Sequence, residues 1–268
     1  MKHCKLLLSL VLCMCMICTV LPITAQAAED VHNAHNNCGT TGCTNTDHGH
    51  SEVTAWTPVS QADVDTDGTL TLAAGGSYYL SENVTVTKTI TISGPVNLCL
   101  NGKKLEHTDT VIEVQGGAEL NICDCQNTGE ITRTSNGSST SNSDETAISV
   151  TTWVGKAKQT ATLNLYGGTI SSSSSGRTID LYNNERNNEA VAAKFNMYGG
   201  EVHNSLNDLR SSAVFANYAN IGSGFYRINI YGGSILCETG NAFDLMNNRN
   251  VRMQIAGGTV RGGWYAVD

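Results

Sequence analysis

The octapeptide LNLYGGTI at 163–170 returns as FNMYGGEV at 195–202, INIYGGSI at 228–235 and, more worn, MQIAGGTV at 253–260. Its first half stands earlier, with cysteine where tyrosine is later found, as VNLC at 96–99 and LNIC at 120–123. Aligned on the amide, Asn97, Asn121, Asn164, Asn196, Asn229 and Gln254 follow one another at steps of 24, 43, 32, 33 and 25 residues. Self-similarity at this period means one supersecondary unit stacked on copies of itself, because a single unit cannot bury its own apolar face.

Within the phrase, Leu163 and Leu165 alternate with Asn164 and Tyr166, the period of a strand with one buried face. The Gly-Gly pair turns the chain, since glycine reaches backbone angles that other residues avoid, and a second short strand follows at Thr169 and Ile170. A variable stretch comes next, SSSSSGR at 171–177 in one copy and TRTSNGSSTSNSDET at 132–146 in another, compositions that predict surface loops. Each such stretch ends in a third apolar run: AISV from 147, TIDLYNN from 178, AVFANYAN from 213, AFDLMNN from 242 and YAV from 265. Three short strands per unit predict an all-β, right-handed parallel β-helix of about seven turns, stacked at about 4.8 Å. The left-handed alternative needs a strict six-residue period, which the chain lacks.

The N-terminus lies outside this pattern. Lys2 and Lys5 precede an apolar run from Leu6 to Leu21, and AQA at 25–27 fits a small-x-small cleavage site, so 1–27 reads as a secretory signal. The run is shorter than the roughly 18–20 apolar residues of a spanning helix, and no membrane insertion is expected after cleavage. Residues 28–52 read as a polar linker containing Cys and His, 53–95 as a cap and first turn with the cap over 56–80, and 96–268 as the repeats. Removing the signal takes away two lysines and no acid, moving the formal charge from −8 to −10, which argues against nucleic acid and anionic lipid as partners. Six of ten cysteines remain, an even number suited to an export compartment.

The run GGSYYLSENVTVTKTITISGPVNLCLNGKKL at 75–105, then LNICDC and the recurring YGG, resembles pectate-lyase-like right-handed β-helix modules. The likeness is greatest to those of secreted and cell-surface proteins of Gram-positive gut bacteria, and it covers about 53–268. It implies an exported protein of that fold. Many members are polysaccharide lyases or hydrolases and many surface modules have no assigned chemistry, so fold alone does not choose. GGTVRGGWYAVD ends in what reads as an uncapped third strand, so either a module of a longer surface protein with further C-terminal domains is expected, the reading preferred on the resemblance, or a last rung that pairs with a partner.

Several residues are candidates for chemistry. Tyr166, Tyr198 and Tyr231 form a column that is either an aromatic strip for sugar rings or a ladder holding the turns in register. The asparagine column suits amide hydrogen bonds along the axis. On the third strands, Asp180, Phe215 and Asp244 are expected to point outwards on consecutive rungs, with Tyr182 beside them as a further aromatic contact. Two carboxylates two rungs apart lie about 9.6 Å from each other, at the upper end of the roughly 6.5–9.5 Å used by inverting glycosidases, although solvated surface acids explain them as well. Arg177 and Arg210, read as loop residues, are the cations nearest to what a lyase needs. DVDTDG at 63–68 copies the opening of a calcium loop but has Ala74 at its twelfth position. Cys38, Cys43, His48 and His50 are zinc-type ligands at a spacing that matches no common tetrahedral site, so a local disulfide is the rival. Cys99 and Cys123 share one column, as a disulfide or as a reduced stack. The reading is an exported surface module, without evident catalytic machinery, that attaches to polysaccharide or host-surface glycan. A polysaccharide lyase or hydrolase centred on Asp180 and Asp244, and a structural stalk, are the alternatives.

Overall fold

The computed structural model describes residues 32–268 other than 42, 47, 135–144, 156–158, 175, 184–189, 218–224 and 247–249. The expected signal segment at 1–27 lies outside the described residues. Asn33–Asp268 forms one compact unit, which carries the repeats. Among the described residues no helix is long and apolar enough to cross a membrane.

This unit is all-β, and three parallel sheets carry it. The first contains Thr57–Val59, Ser77–Leu80, Pro95–Cys99, Glu119–Cys123, Ala161–Leu165, Ala192–Met197, Phe225–Ile230 and Val251–Ile255 in chain order. The second runs from Val84–Thr85 through Glu130–Arg133 and Thr169–Ser172 to Thr259–Gly262, and the third from Ile90–Ile92 through Arg177–Tyr182 to Asn241–Asp244. From Ser77 onwards each strand pairs with the third strand after it, so one sequence unit adds one rung to each sheet. A two-stranded antiparallel ribbon, His35–Asn36 with Glu52–Val53, forms a separate small sheet.

The register follows the sequence repeat. Asn97, Asn121, Asn164, Asn196, Asn229 and Gln254 are successive partners across the first sheet. On the inward face, Leu98, Ile122, Leu165, Met197 and Ile230 form one column with almost no exposure. Leu105, Ile131, Ile170, Val202 and Ile235 form a second, and Ile112, Ile148, Ile179, Val214 and Phe243 a third. All three meet in one apolar cluster. Each side chain contributes about 1.5–3 kcal/mol by leaving water, which is why units of uneven length still align. At the last rung the pattern continues but the cover ends: Ile255 is 46% exposed where Ile230 is fully buried.

The second glycine of each phrase is fixed by two constraints. Gly200 has φ +76°, and a Cβ there would stand 2.4 Å from the carbonyl oxygen of Gly168 on the rung below. Gly233 repeats this against Gly200, at φ +85° and 2.6 Å.

Two stretches expected to be loops are partly strand. Thr132 and Arg133 end Glu130–Arg133 and are buried, and Ser171 and Ser172 end Thr169–Ser172 with Ser172 buried. Several of their polar groups find partners: Arg133 Nη1 donates to Ser174 Oγ at 2.7 Å, Nη2 pairs with Glu145, and Ser171 Oγ donates to Glu130 Oε1 at 2.5 Å, while the buried Arg133 Nε has none among the described residues. Ten residues of the longer stretch, 135–144, lie outside the described residues.

Candidate functional site

Beside the asparagines, the outward face of the first sheet carries a second column. Tyr79 pairs with Cys99 and Cys99 with Cys123, and Tyr166, Tyr198, Tyr231 and Ala256 each follow the next rung's last apolar residue. The tyrosines form an offset stack, 4.9 Å and 11° between Tyr166 and Tyr198, then 5.1 Å and 3° between Tyr198 and Tyr231. Centroids at the rung spacing with nearly parallel planes mean that each ring covers its neighbour's face. The column therefore presents ring edges and hydroxyls, and only Tyr231, 37% exposed above the small Ala256, keeps an open face.

Residues 33–53 lie along this column. Gly39 reaches Cys123, where an added Cβ would meet the Cys123 Cβ at 3.3 Å. The His48 ring sits 5.1 Å from the rings of both Tyr166 and Tyr198, and Tyr166 donates its hydroxyl proton to the Gly49 carbonyl at 2.9 Å. Burial is the main reason that the Tyr166 and Tyr198 phenols are pushed up. Between segment and column lies a recess of about 200 Å³, lined by Cys38, Thr40, Asn45, His48, Tyr166, Tyr198 and Tyr231.

Cys38, Cys43 and His48 bring their ligand atoms within 4.8 Å of one another, with Cys43 Sγ 3.8 Å from His48 Nε2. His50 is not part of this group; its Nδ1 lies 3.3 Å from the His48 carbonyl oxygen. Two thiols and an imidazole are the donors a thiophilic divalent cation takes, with one position left open. Cys99 and Cys123 are in register as two thiols rather than a disulfide, and Cys99 Sγ lies 3.6 Å from Cys125 Sγ. Burial, and then the neighbouring Cys99, push the Cys125 thiol up to about 12.

The third sheet holds the other candidates, so the expected ligand set divides between two faces. Asp180, Phe215 and Asp244 are in register on consecutive rungs. Asp180 and Phe215 are buried and Asp244 is half-buried. Asp180 is 6% exposed, accepts from Asn217 Nδ2 at 3.2 Å and lies 3.8 Å from Arg177 Nη1. Phe215, expected as an aromatic contact, is equally buried, with the Arg177 guanidinium 3.8 Å from its ring centroid. Arg177 is thus a strand residue rather than a loop residue, spanning the acid and the ring; Arg210 does lie in a turn, beside Asp208. Burial holds the Asp244 carboxyl above its ordinary value, with Asp268 adding to the shift and the Met246 amide and Arg177 opposing it. Tyr182, half-buried, ends the same strand as Asp180.

In DVDTDG, Asp63 accepts from the amide and hydroxyl of Ser60 at 2.7 and 2.8 Å, closing a short 3₁₀ turn. Asp67 accepts from Lys88 Nζ at 2.6 Å, which with Thr69 lowers its carboxyl to about 2. Both acids are thereby turned to partners inside the chain. Sequence reasoning missed Asp124, a buried carboxylate that accepts from the amides of Gly102, Gln126 and Gly129 at 2.7, 3.2 and 2.5 Å. An acid inside DCQNTG reads as an ordinary turn residue, and the neighbouring rung supplies its third donor, the Gly102 amide.

No family model, curated protein or solved structure matches this chain.

Proposed function

We propose that this is an exported, right-handed three-strand-per-turn β-helix of the pectate-lyase-like kind, of about seven turns, displayed at or released from the cell surface, and that it binds polysaccharide or host-surface glycan. The observation that carries the reading is the recess beside the tyrosine column. It combines one open aromatic face, at Tyr231, with phenol, imidazole, amide and hydroxyl groups from Tyr166, Tyr198, His48, Asn45 and Thr40. Sugar sites need that mixture: an apolar face for the C–H side of a ring and fixed polar groups for its hydroxyls. The buried tyrosine faces serve register, and the edges and hydroxyls serve the ligand. Retention of the chain on immobilised glycans tests this. Tyr231→Ala removes the open face without touching the core and is expected to abolish retention; retention unchanged in that variant contradicts the reading.

One observation favours a second reading, hydrolysis or elimination at the third sheet. Asp180 lies beside a guanidinium while Asp244 is held towards its protonated form, and two carboxyls in environments that diverge are what acid–base catalysis uses. Under that reading, polysaccharide is cleaved by the wild type and not by Asp244→Asn.

A further inference from the structure

The cysteines at and just after the ends of Pro95–Cys99 and Glu119–Cys123, and the ribbon that lies on them, form a group that the glycan reading does not use. His35, Cys99 and Cys125 bring one ligand atom each to within 4.8 Å of one another. His35 and Cys99 are buried and Cys125 is half-buried. The geometry points to a structural site for a thiophilic divalent cation of the zinc type, held by Cys99 Sγ, Cys125 Sγ and His35, that fastens residues 33–53 to the first rungs of the sheet.

Three features of the group fit this and are independent of the cluster at Cys38, Cys43 and His48. First, the sulfur separation is 3.6 Å. Two thiolates at about 2.3 Å from zinc, at the tetrahedral angle, stand about 3.8 Å apart, whereas a disulfide needs about 2.05 Å. Second, the imidazole is oriented. With the proton on Nδ1, His35 donates to the Asn36 carbonyl at 2.7 Å, which leaves Nε2 for the metal, and the ring packs 4.5 Å from that of Trp56. A metal-bound histidine that gives its other N–H to a carbonyl is the usual outer-shell arrangement. Third, the sulfur of Cys125 has an amide 3.9 Å away, at Gln126 Nε2, able to donate to a thiolate. Cys123 sits in register beside Cys99 and packs with it, giving the site an apolar wall.

The site also has work to do. The ribbon consists of two strands of two residues each, far below what is stable alone, yet it positions the segment that lines the tyrosine recess. Binding releases the two thiol protons and leaves a neutral zinc–dithiolate, the form of the cation that a buried position tolerates.

The test uses the full-length chain carrying Cys38→Ser and Cys43→Ser, which removes the other cluster, in the reduced state with Co²⁺ as the probe. The expected result is uptake of one Co²⁺ per chain with thiolate-to-cobalt charge-transfer absorption, displaced by Zn²⁺. Adding Cys125→Ser halves that absorption, and adding His35→Gln weakens Co²⁺ binding at least tenfold while the far-ultraviolet dichroism is unchanged. Limited proteolysis supplies a second readout: cleavage within 33–53 accelerates on chelation and slows on metal return. Absence of cobalt uptake by the folded double variant, absorption undiminished by Cys125→Ser, or a Cys99–Cys125 disulfide in the chain as exported, each overturns the proposal. Because the readouts are metal content and proteolysis, they are separate from glycan retention.

Discussion

The asparagine ladder permits a quantitative test of how the rungs hold one another. Asn164 donates from Nδ2 to Asn121 Oδ1 at 2.8 Å and to Glu119 Oε1 at 3.2 Å, and its Oδ1 accepts from Asn196 Nδ2 at 2.7 Å. Asn121, Asn164 and Asn196 are all buried. Asn164→Ala therefore strands two buried groups, the Asn121 oxygen and the Asn196 amide, at about 1–3 kcal/mol each, or about 4 kcal/mol together. Asn229 is the half-exposed end of the ladder and donates one such bond, to Asn196 Oδ1 at 2.8 Å. Asn229→Ala strands one buried group, the Asn196 oxygen, so its cost is about 2 kcal/mol. For a chain of this size, about 2–4 °C per kcal/mol applies, which puts the midpoint of thermal unfolding about 12 °C lower for the first variant and about 6 °C lower for the second. Asn164→Asp keeps the shape but loses the donor at neutral pH, and regains it when the carboxyl is protonated. It is expected to be the least stable of the three at pH 7 and to recover towards wild type in acid. Circular dichroism of the three variants against temperature, at pH 7 and pH 4, reads all of this. Equal losses at positions 164 and 229, or no acid recovery of the aspartate, refutes the account of the ladder as a chain of coupled amides.

Gly200→Ala meets both a positive φ and a carbonyl oxygen 2.4 Å from the new Cβ. The left-handed backbone alone costs about 1–2 kcal/mol, so a loss larger than that is expected in chemical unfolding, while Gly49→Ala, with open space around its Cβ, changes stability little. Asp244 has its carboxyl raised above 3.8, chiefly by burial. The group favours the folded state below its unfolded value, and that contribution is lost as pH rises through the raised folded value. Asp244→Asn should accordingly be more stable than wild type at pH 7, with the gain shrinking as pH falls towards 4, as paired unfolding curves across pH would show.

What the sequence revealed and what it hid divide along one physical line. The amide register from Asn97 to Gln254 and the apolar columns were legible because each repeats, and repetition is itself the signal of a stacked core. The cover over the outward faces was not. Arg177 over Phe215, Arg133 against Ser174 and Glu145, and the 33–53 segment along the tyrosines each occur once, so no period marks them. Composition misled for the same reason: SSSSSGR contains serines that are polar yet buried, because a neighbouring rung supplies their partners. The tyrosine column was visible as a column, but whether it offers faces or edges depends on ring tilt, which no residue pattern encodes. Cys38, Cys43 and His48 were legible as donor types, whereas His35 joins Cys99 and Cys125 across 64 and 90 residues of sequence, beyond the reach of any local spacing rule.

Glycan recognition at the tyrosine recess is tested most directly by passing the purified chain over a panel of immobilised plant and mucosal polysaccharides while assaying the same mixtures for new reducing ends and unsaturated products. The account predicts retention on at least one polysaccharide, lost in Tyr231→Ala, with the polysaccharide left intact. Product formation that disappears in Asp180→Asn or Asp244→Asn, or absence of retention across the whole panel, contradicts it.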